Sequence, residues 1–318
     1  MPYALLQPIP SLSQAVIQED IMYCLRVLLV LVCVLIFPLG QAAAAPLQVT
    51  VSVVPQAYFV RQIAHDLVQV SVMVLPGASP ATYEPKPNQM KALSSSAAYF
   101  AVGAPFETTW LDKICAANPN MLIVRTQEGI TKVPMARHHH DLEASRDHDQ
   151  HHESHAILDP HIWLAPDLVA IQARNICKGL VAVDPDHKEI YETNLAAFEQ
   201  ELTRLDTRIR AILGDTSTNN RFLIFHPAWG YFARAYGLRQ IPVEMEGKSP
   251  SPKDLSQLIQ LARSHDLDTV FVQPQFSQKS AVVIAGAING RVVRLDPLAK
   301  DWATNLVNAA TSIKEALR

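Results

Sequence analysis

Short valine-rich runs alternate with longer amphipathic ones along most of this chain. LQVTVSVV (residues 47–54) and VQVSVMVL (68–75) read as strands, each bounded by Pro or Gly, and QAYFVRQIAHDL between them reads as a helix. AAYFAVG and MLIVRT predict two further strands around a helix in FETTWLDKICAA. A second set begins near Arg221. RFLIFH, LRQIPVEM, DTVFVQ and RVVRLD are its strands, and AWGYFARAYG, SPKDLSQLIQLARSHD, SQKSAVVIAGAI and WATNLVNAATSIKEAL its helices. The Ser-Pro pairs before Lys253 mark a helix start. Strands alternating with helices at this spacing imply βαβ units and parallel sheets, here in two α/β lobes.

The join between the sets has its own period. From Asp186 to Leu213 there is neither Gly nor Pro, and Ile190, Leu195, Phe198, Leu202, Leu205, Ile209 and Leu213 fall mostly three or four apart. One helix of that length extends about 40 Å, enough to brace both lobes; two helices broken near Thr193 are the alternative. Lobes tied by a stiff rod move little, so wide hinge closure is not expected. The organisation read from these patterns is an N-terminal extension with a targeting segment (1–45), a first lobe (46–185), the linking helix (186–213) and a second lobe (214–318).

The targeting segment is MYCLRVLLVLVCVLIFPLGQAAAAP. A basic residue at Arg26, an apolar core from Val27 to Leu39 and small residues ending at Ala45 give the layout of a secretory signal peptide, cut between Ala43 and Pro46. The apolar run is short for a bilayer span of roughly 20 residues, although an uncleaved anchor is the alternative. Residues 1–20 look unlike a targeting element, which points to Met22 as the true start. No lipobox surrounds Cys24 or Cys33, and no lipid anchor is expected. Export leaves Cys115 and Cys177, which form a disulfide or are two small buried hydrophobes.

Composition narrows the class. With 318 residues, 49% of them apolar, and a formal charge of −3, the chain can bury two cores and has no basic face for nucleic acid. Charge and composition also exclude disorder of the whole. One stretch departs from the pattern: eight of the twelve histidines lie between His138 and His161. Residues 137–155 have no apolar period and read as an acidic, imidazole-rich surface loop. The loop is internal and interleaved with Asp and Glu, so it is not a purification tag.

Ligands of parallel α/β sheets sit at the C-terminal ends of the strands. His161 in LDPHIWL, His226 ending RFLIFH and Asp296 ending RVVRLD are read at such ends. Imidazole and carboxylate suit Zn²⁺. Each residue alone has a structural reading; together, beside the histidine loop of an exported chain, they point to a metal.

The segments PGASPATYEPKPNQM, LDPHIWLAP, VDPDHKEIYETNLAAFEQEL, FHPAWGYFARAYGL, KSPSPKDL, FVQPQFSQKSA and LDPLAKDW, in this order, resemble the zinc and manganese solute-binding proteins of bacterial ABC importers. The resemblance covers essentially the whole mature chain. It implies an α/β fold of two Rossmann-like parallel-sheet lobes joined by one long backbone helix, with a metal held between them. It also implies a periplasmic monomer that delivers the metal to an ABC transporter membrane permease. Carried over residue by residue, the ligands are His161, His226 and Asp296. A histidine at 226 and an acidic histidine-rich loop resemble the zinc members, so Zn²⁺ is expected as the transported ligand ahead of Mn²⁺.

The first ligand does not carry over, because Ala81 stands where the resemblance expects histidine. A water can complete a His₂Asp site, or a substitute comes from Glu84, Glu244, Gln273 or a loop histidine; drift to another ligand is a third outcome. Asp159 is read as fixing an imidazole tautomer or as a turn residue, and Tyr83 and Glu84 as neighbours of the missing ligand. Glu244 and Glu246 read as a solvated acidic turn, and His65, His187 and His265 as surface residues. His138, His139, His140, His148, His151, His152 and His155 form an auxiliary low-affinity zinc loop that feeds the cleft. Two other functions compete: a secreted zinc hydrolase with Glu84 or Glu244 as general base, and a surface metal buffer or adhesin worked by the loop. Against the hydrolase, no H-E-x-x-H, no G-x-S-x-G and no catalytic Cys/His pairing occurs.

Overall fold

Strands of four or five residues, each followed by a helix, leave the chain one economical solution: parallel sheets with helices on both faces. The computed structural model describes residues 22–23, 25, 45–136, 157–216, 219–244, 248, 250–276 and 278–317. Residues 1–45 form a unit of their own, in which Met22, Tyr23 and Leu25 are helical and exposed. The predicted signal-peptide core and the histidine loop lie outside the described residues. Among the described residues no helix is long and apolar enough to cross a membrane.

The first sheet is built from β1 (Leu47–Val51), β2 (Val68–Val72), β3 (Ala98–Ala101) and β4 (Leu122–Arg125) in the order β2-β1-β3-β4, all parallel. Val49 is the register centre, opposite Val70 on one side and Ala98 on the other. Helices α1 (Val54–Ala64), α2 (Pro87–Leu93) and α3 (Pro105–Ala117) connect these strands. The second sheet repeats the plan with β5 (Arg221–Ile224), β6 (Arg239–Pro242), β7 (Thr269–Val272) and β8 (Arg291–Arg294) in the order β6-β5-β7-β8. Its helices are α6 (Gly230–Ala235), α7 (Pro252–Ser264), α8 (Lys279–Ala287) and α9 (Trp302–Ala316). In both sheets the strand order reverses beside the first strand, β1 or β5, which is where such folds open a crevice.

In chain order the two sheets are separated by α4 (Pro166–Val183), which packs on the first sheet, and α5 (Lys188–Leu213). The Gly- and Pro-free stretch is one uninterrupted 26-residue helix, entered through a 3₁₀ turn at Pro185–His187 and closed by Gly214 at φ 62°. No break falls near Thr193. Helices α2 and α4 are absent from the sequence reading. Their signals were present: Pro at the first helical position of each, and Val169, Ala173, Ile176 and Leu180 at helical spacing along α4. Gly179 lets α4 lie on the sheet, because a Cβ there would sit 2.6 Å from Val124 Cγ2 and 2.9 Å from Phe100 Cε1.

One apolar core is continuous through both sheets and α5. Its aromatic centre joins Phe59 of α1, Phe198 of α5 and Trp302 of α9, with Phe59 and Trp302 edge to face at 5.0 Å. Helix α9 therefore returns to pack on α1. A smaller core lies under α7 and α8, around Leu223, Val243, Leu258 and Ile284. Cys115 and Cys177 are both free thiols; Cys177 is one of the buried apolar residues of α4.

Candidate metal centre

His226 lies two residues beyond β5, where the strand order reverses, and its backbone is fixed from β7. Gln273 accepts from His226 N (3.1 Å) and donates to His226 O (2.5 Å), a two-way amide clasp across neighbouring strands. The imidazole stacks on Phe276 with centroids 4.9 Å apart, and its Nδ1 meets Glu244 Oε1 at 2.6 Å. Glu244 is only 5% exposed. The acidic turn expected there is thus corrected: β6 delivers this carboxylate inward, behind His226. Glu246 lies outside the described residues.

His161 is placed differently from the sequence reading. It does not end a parallel strand. It follows an isolated antiparallel bridge, Pro134 with Leu158, and precedes a 3₁₀ turn at Ile162–Leu164. That bridge joins the two legs from which the histidine loop springs, reinforced by Met135 N to Ile157 O and Asp159 N to Val133 O. Tyr231 of α6 pins the stem: its hydroxyl donates to Asp159 O (3.0 Å) and accepts from Val133 N (3.1 Å). Asp159 Oδ1 then holds His161 twice, at the backbone N (2.9 Å) and at ring Nδ1 (2.7 Å). Gly230 makes room for this carboxylate, since a Cβ there would stand 2.6 Å from Asp159 Oδ2.

The two imidazoles meet edge to face with centroids 5.2 Å apart and planes at 72°. Each gives its Nδ1–H to a buried carboxylate, which leaves Nε2 as the nitrogen with the free lone pair. Burial pushes the His161 imidazole below its ordinary range, with Asp159 opposing in part, so His161 is neutral near pH 7. Both rings line a cleft of about 40 Å³, roofed by mostly apolar side chains that include Pro80, Pro105, Met135 and Leu298. That volume admits an ion or a few waters.

Asp296 follows β8 by two residues. Its Oδ1 accepts from Leu298 N (2.9 Å) and from Gln275 Nε2 (3.0 Å), and Asn305 donates to its carbonyl (2.8 Å). The segments bearing His161 and Asp296 are tied by indoles. Trp163 Nε1 donates to Pro297 O (2.8 Å) and Trp302 Nε1 to Trp163 O (2.6 Å). Among the described residues, no three of His, Cys, Asp and Glu converge closely enough to form a ready metal cluster. The histidine pair is assembled, and Asp296 adjoins it through Gln275.

The proposed substitutes fare unevenly. Ala81 lines the cleft and brings no donor atom. Glu84 is exposed and does not line it, because the turn buries Tyr83 and Pro85 and turns Thr82, Glu84 and Lys86 outward. Both ends of the Gln273 amide are engaged with the His226 backbone, which removes it as a ligand. Glu244 supports His226 from behind. His65, His187 and His265 lie at helix boundaries away from the cleft, His187 bonded to Asp184 and His265 to Arg221. The sequence reading missed Gln275, Phe276, Trp163 and Tyr231; the first two stood in FVQPQFS, two or three residues from the glutamine it chose.

The comparisons agree with this architecture. A crystal structure of ZnuA is 44% identical, covers 86% of this chain and 100% of its own, and superposes with a TM-score of 0.78. A deletion mutant of ZnuA with zinc bound is 44% identical, with 86% and 98% covered and a TM-score of 0.77. The high-affinity zinc uptake system protein ZnuA of Bacillus subtilis is 28% identical over 79% of this chain and 78% of that protein. The family model described as zinc-uptake complex component A, periplasmic (ZnuA), matches residues 49–316, and the chain belongs to that family.

Proposed function

We propose that this protein is the extracytoplasmic zinc receptor of an ABC importer, capturing Zn²⁺ between its lobes and passing it to the membrane permease. It performs no chemical turnover, in keeping with its family. The observation that carries the ligand assignment is the pair of imidazoles, each oriented by its own buried carboxylate and both lining one apolar cleft. Carboxylate–histidine pairs of this kind raise ligand basicity and fix the metal-facing nitrogen. His161, His226 and Asp296 are the metal ligands in this reading, with Asp159 and Glu244 as their supports. Two nitrogens and one carboxylate favour zinc over manganese.

The mature protein acts as a monomer, released by signal-peptide cleavage between Ala43 and Pro46; N-terminal sequencing of the exported protein checks the cut. Residues 138–155 collect zinc weakly near the cleft, an arrangement supported by the bridged stem that plants both loop legs beside His161.

Competitive titration of the metal-stripped mature protein against zinc and manganese tests the reading. One tight zinc site is expected, weakened strongly by His226→Ala and strengthened by Ala81→His. Deleting residues 138–155 should remove weak sites and leave the tight one. A protein that takes up no zinc at micromolar concentration, or loses nearly all binding with the loop, overturns the proposal. Affinity should also fall with acid, since protons compete for imidazole.

A further inference from the structure

Two buried side-chain oxygens near the histidine pair accept no hydrogen bond among the described residues, Glu244 Oε2 and Gln275 Oε1. The first belongs to the carboxylate behind His226 and does not line the cleft, whereas Gln275 lines it together with His161 and His226. The orientation of the Gln275 amide follows from its partner. Asp296 Oδ1 has no proton to give when ionised and already accepts from Leu298 N, so only the NH₂ end of Gln275 can face it. The oxygen is therefore the free end, and a buried acceptor left without a donor calls for an explanation.

We propose that Gln275 Oε1 is itself a metal ligand, an amide oxygen that completes the coordination Ala81 cannot supply. This rests on the zinc-receptor reading above and names one more member of that same site. His161 and His226 offer two nitrogens and, in that reading, Asp296 offers one oxygen, while Ala81 leaves the fourth position without a donor. Gln275 and Asp296 are already bonded to each other, so they engage the ion as a pair: the amide through Oε1, the carboxylate through its other oxygen. The resulting N₂O₂ set is one that a tetrahedral divalent zinc accepts. Gln273, by contrast, is bound at both ends and has no such free atom.

The test uses the mature protein with Zn²⁺ and Co²⁺ as probes, comparing wild type, Gln275→Leu, Gln275→Glu and His226→Ala. Zinc affinity is read by chelator competition, and the coordination of Co²⁺ by its visible spectrum with and without azide. Gln275→Leu should lose at least about tenfold in zinc affinity and open a position at which azide changes the Co²⁺ spectrum. Wild type should resist azide. Gln275→Glu keeps an oxygen in place and should bind zinc nearer to wild type than to Gln275→Leu; it also serves if the leucine variant folds poorly. Unchanged affinity in Gln275→Leu overturns the proposal. So does a loss with no azide-accessible position, or a glutamate variant as weak as leucine, since either makes Gln275 only a support for Asp296. If wild type binds zinc and His226→Ala binds it equally well, the receptor site itself is misplaced and both readings fall.

Discussion

At the scale of single residues, the candidate centre is set up by atoms behind the two imidazoles. Asp159 and Glu244 decide which nitrogen of each ring is bare, and neither lines the cleft. Glu244→Gln removes the charge that polarises His226 while keeping its volume. It should cost roughly ten- to a hundredfold in zinc affinity, measured by chelator competition, with the circular dichroism unchanged. Asp159 was legible in the sequence because it sits two residues from its histidine. Glu244 was not, because β6 brings it to His226 from eighteen residues away and only the fold creates that contact. Gln275 left no sequence signal of its own: Gln273 is held by the neighbouring strand, and Gln275 two residues on bonds Asp296 instead. Cys177 gives a separate prediction. Burial pushes its thiol up to about 11, whereas an unfolded thiol ionises near about 8.5. The native thiol should resist alkylation at pH 9 and react at the ordinary rate in denaturant. The raised folded value also means that its contribution to stability, present below the unfolded pKa, is lost as pH climbs toward 11.

Among the elements, the regular ones were readable and the borderline ones were not. Helix α5 declared itself through a long run of helical spacing with no breaker. Helix α4 carries Gly179 in its last turns and begins at Pro166, features that read as punctuation when no partner surface is in view. In the structure the glycine packs directly against Phe100 of β3 and Val124 of β4. Gly179→Ala improves helix propensity yet forces a methyl into Val124 and Phe100. Overpacking of this kind costs about 1–3 kcal/mol, against the gain of up to about 1 kcal/mol from propensity. A net loss in urea-denaturation midpoint is expected; an increase would mean that α4 can lift from the sheet without penalty. The antiparallel bridge at Pro134 and Leu158 was illegible for another reason: one residue pair leaves no periodic trace.

For the whole molecule, the packing bears on the expectation of limited hinge motion. The apolar core does not stop at a lobe boundary, α9 returns to α1, and α5 spans both lobes. Small-angle scattering of zinc-free and zinc-loaded protein should therefore superimpose, with changes in amide exchange confined to the segments around 79–81, 159–163 and 273–298. A clear contraction on loading would show that a hinge exists. Within this frame the two indole bonds, Trp163 to Pro297 and Trp302 to Trp163, have a consequence for unloading. They stitch together the chain segments that carry His161 and Asp296, so on the proposed receptor reading these two jaws stay joined while the cargo leaves. On that reading the ion would leave as a climber descends, shifting one hold at a time, with the permease offering the next hold before the last is released.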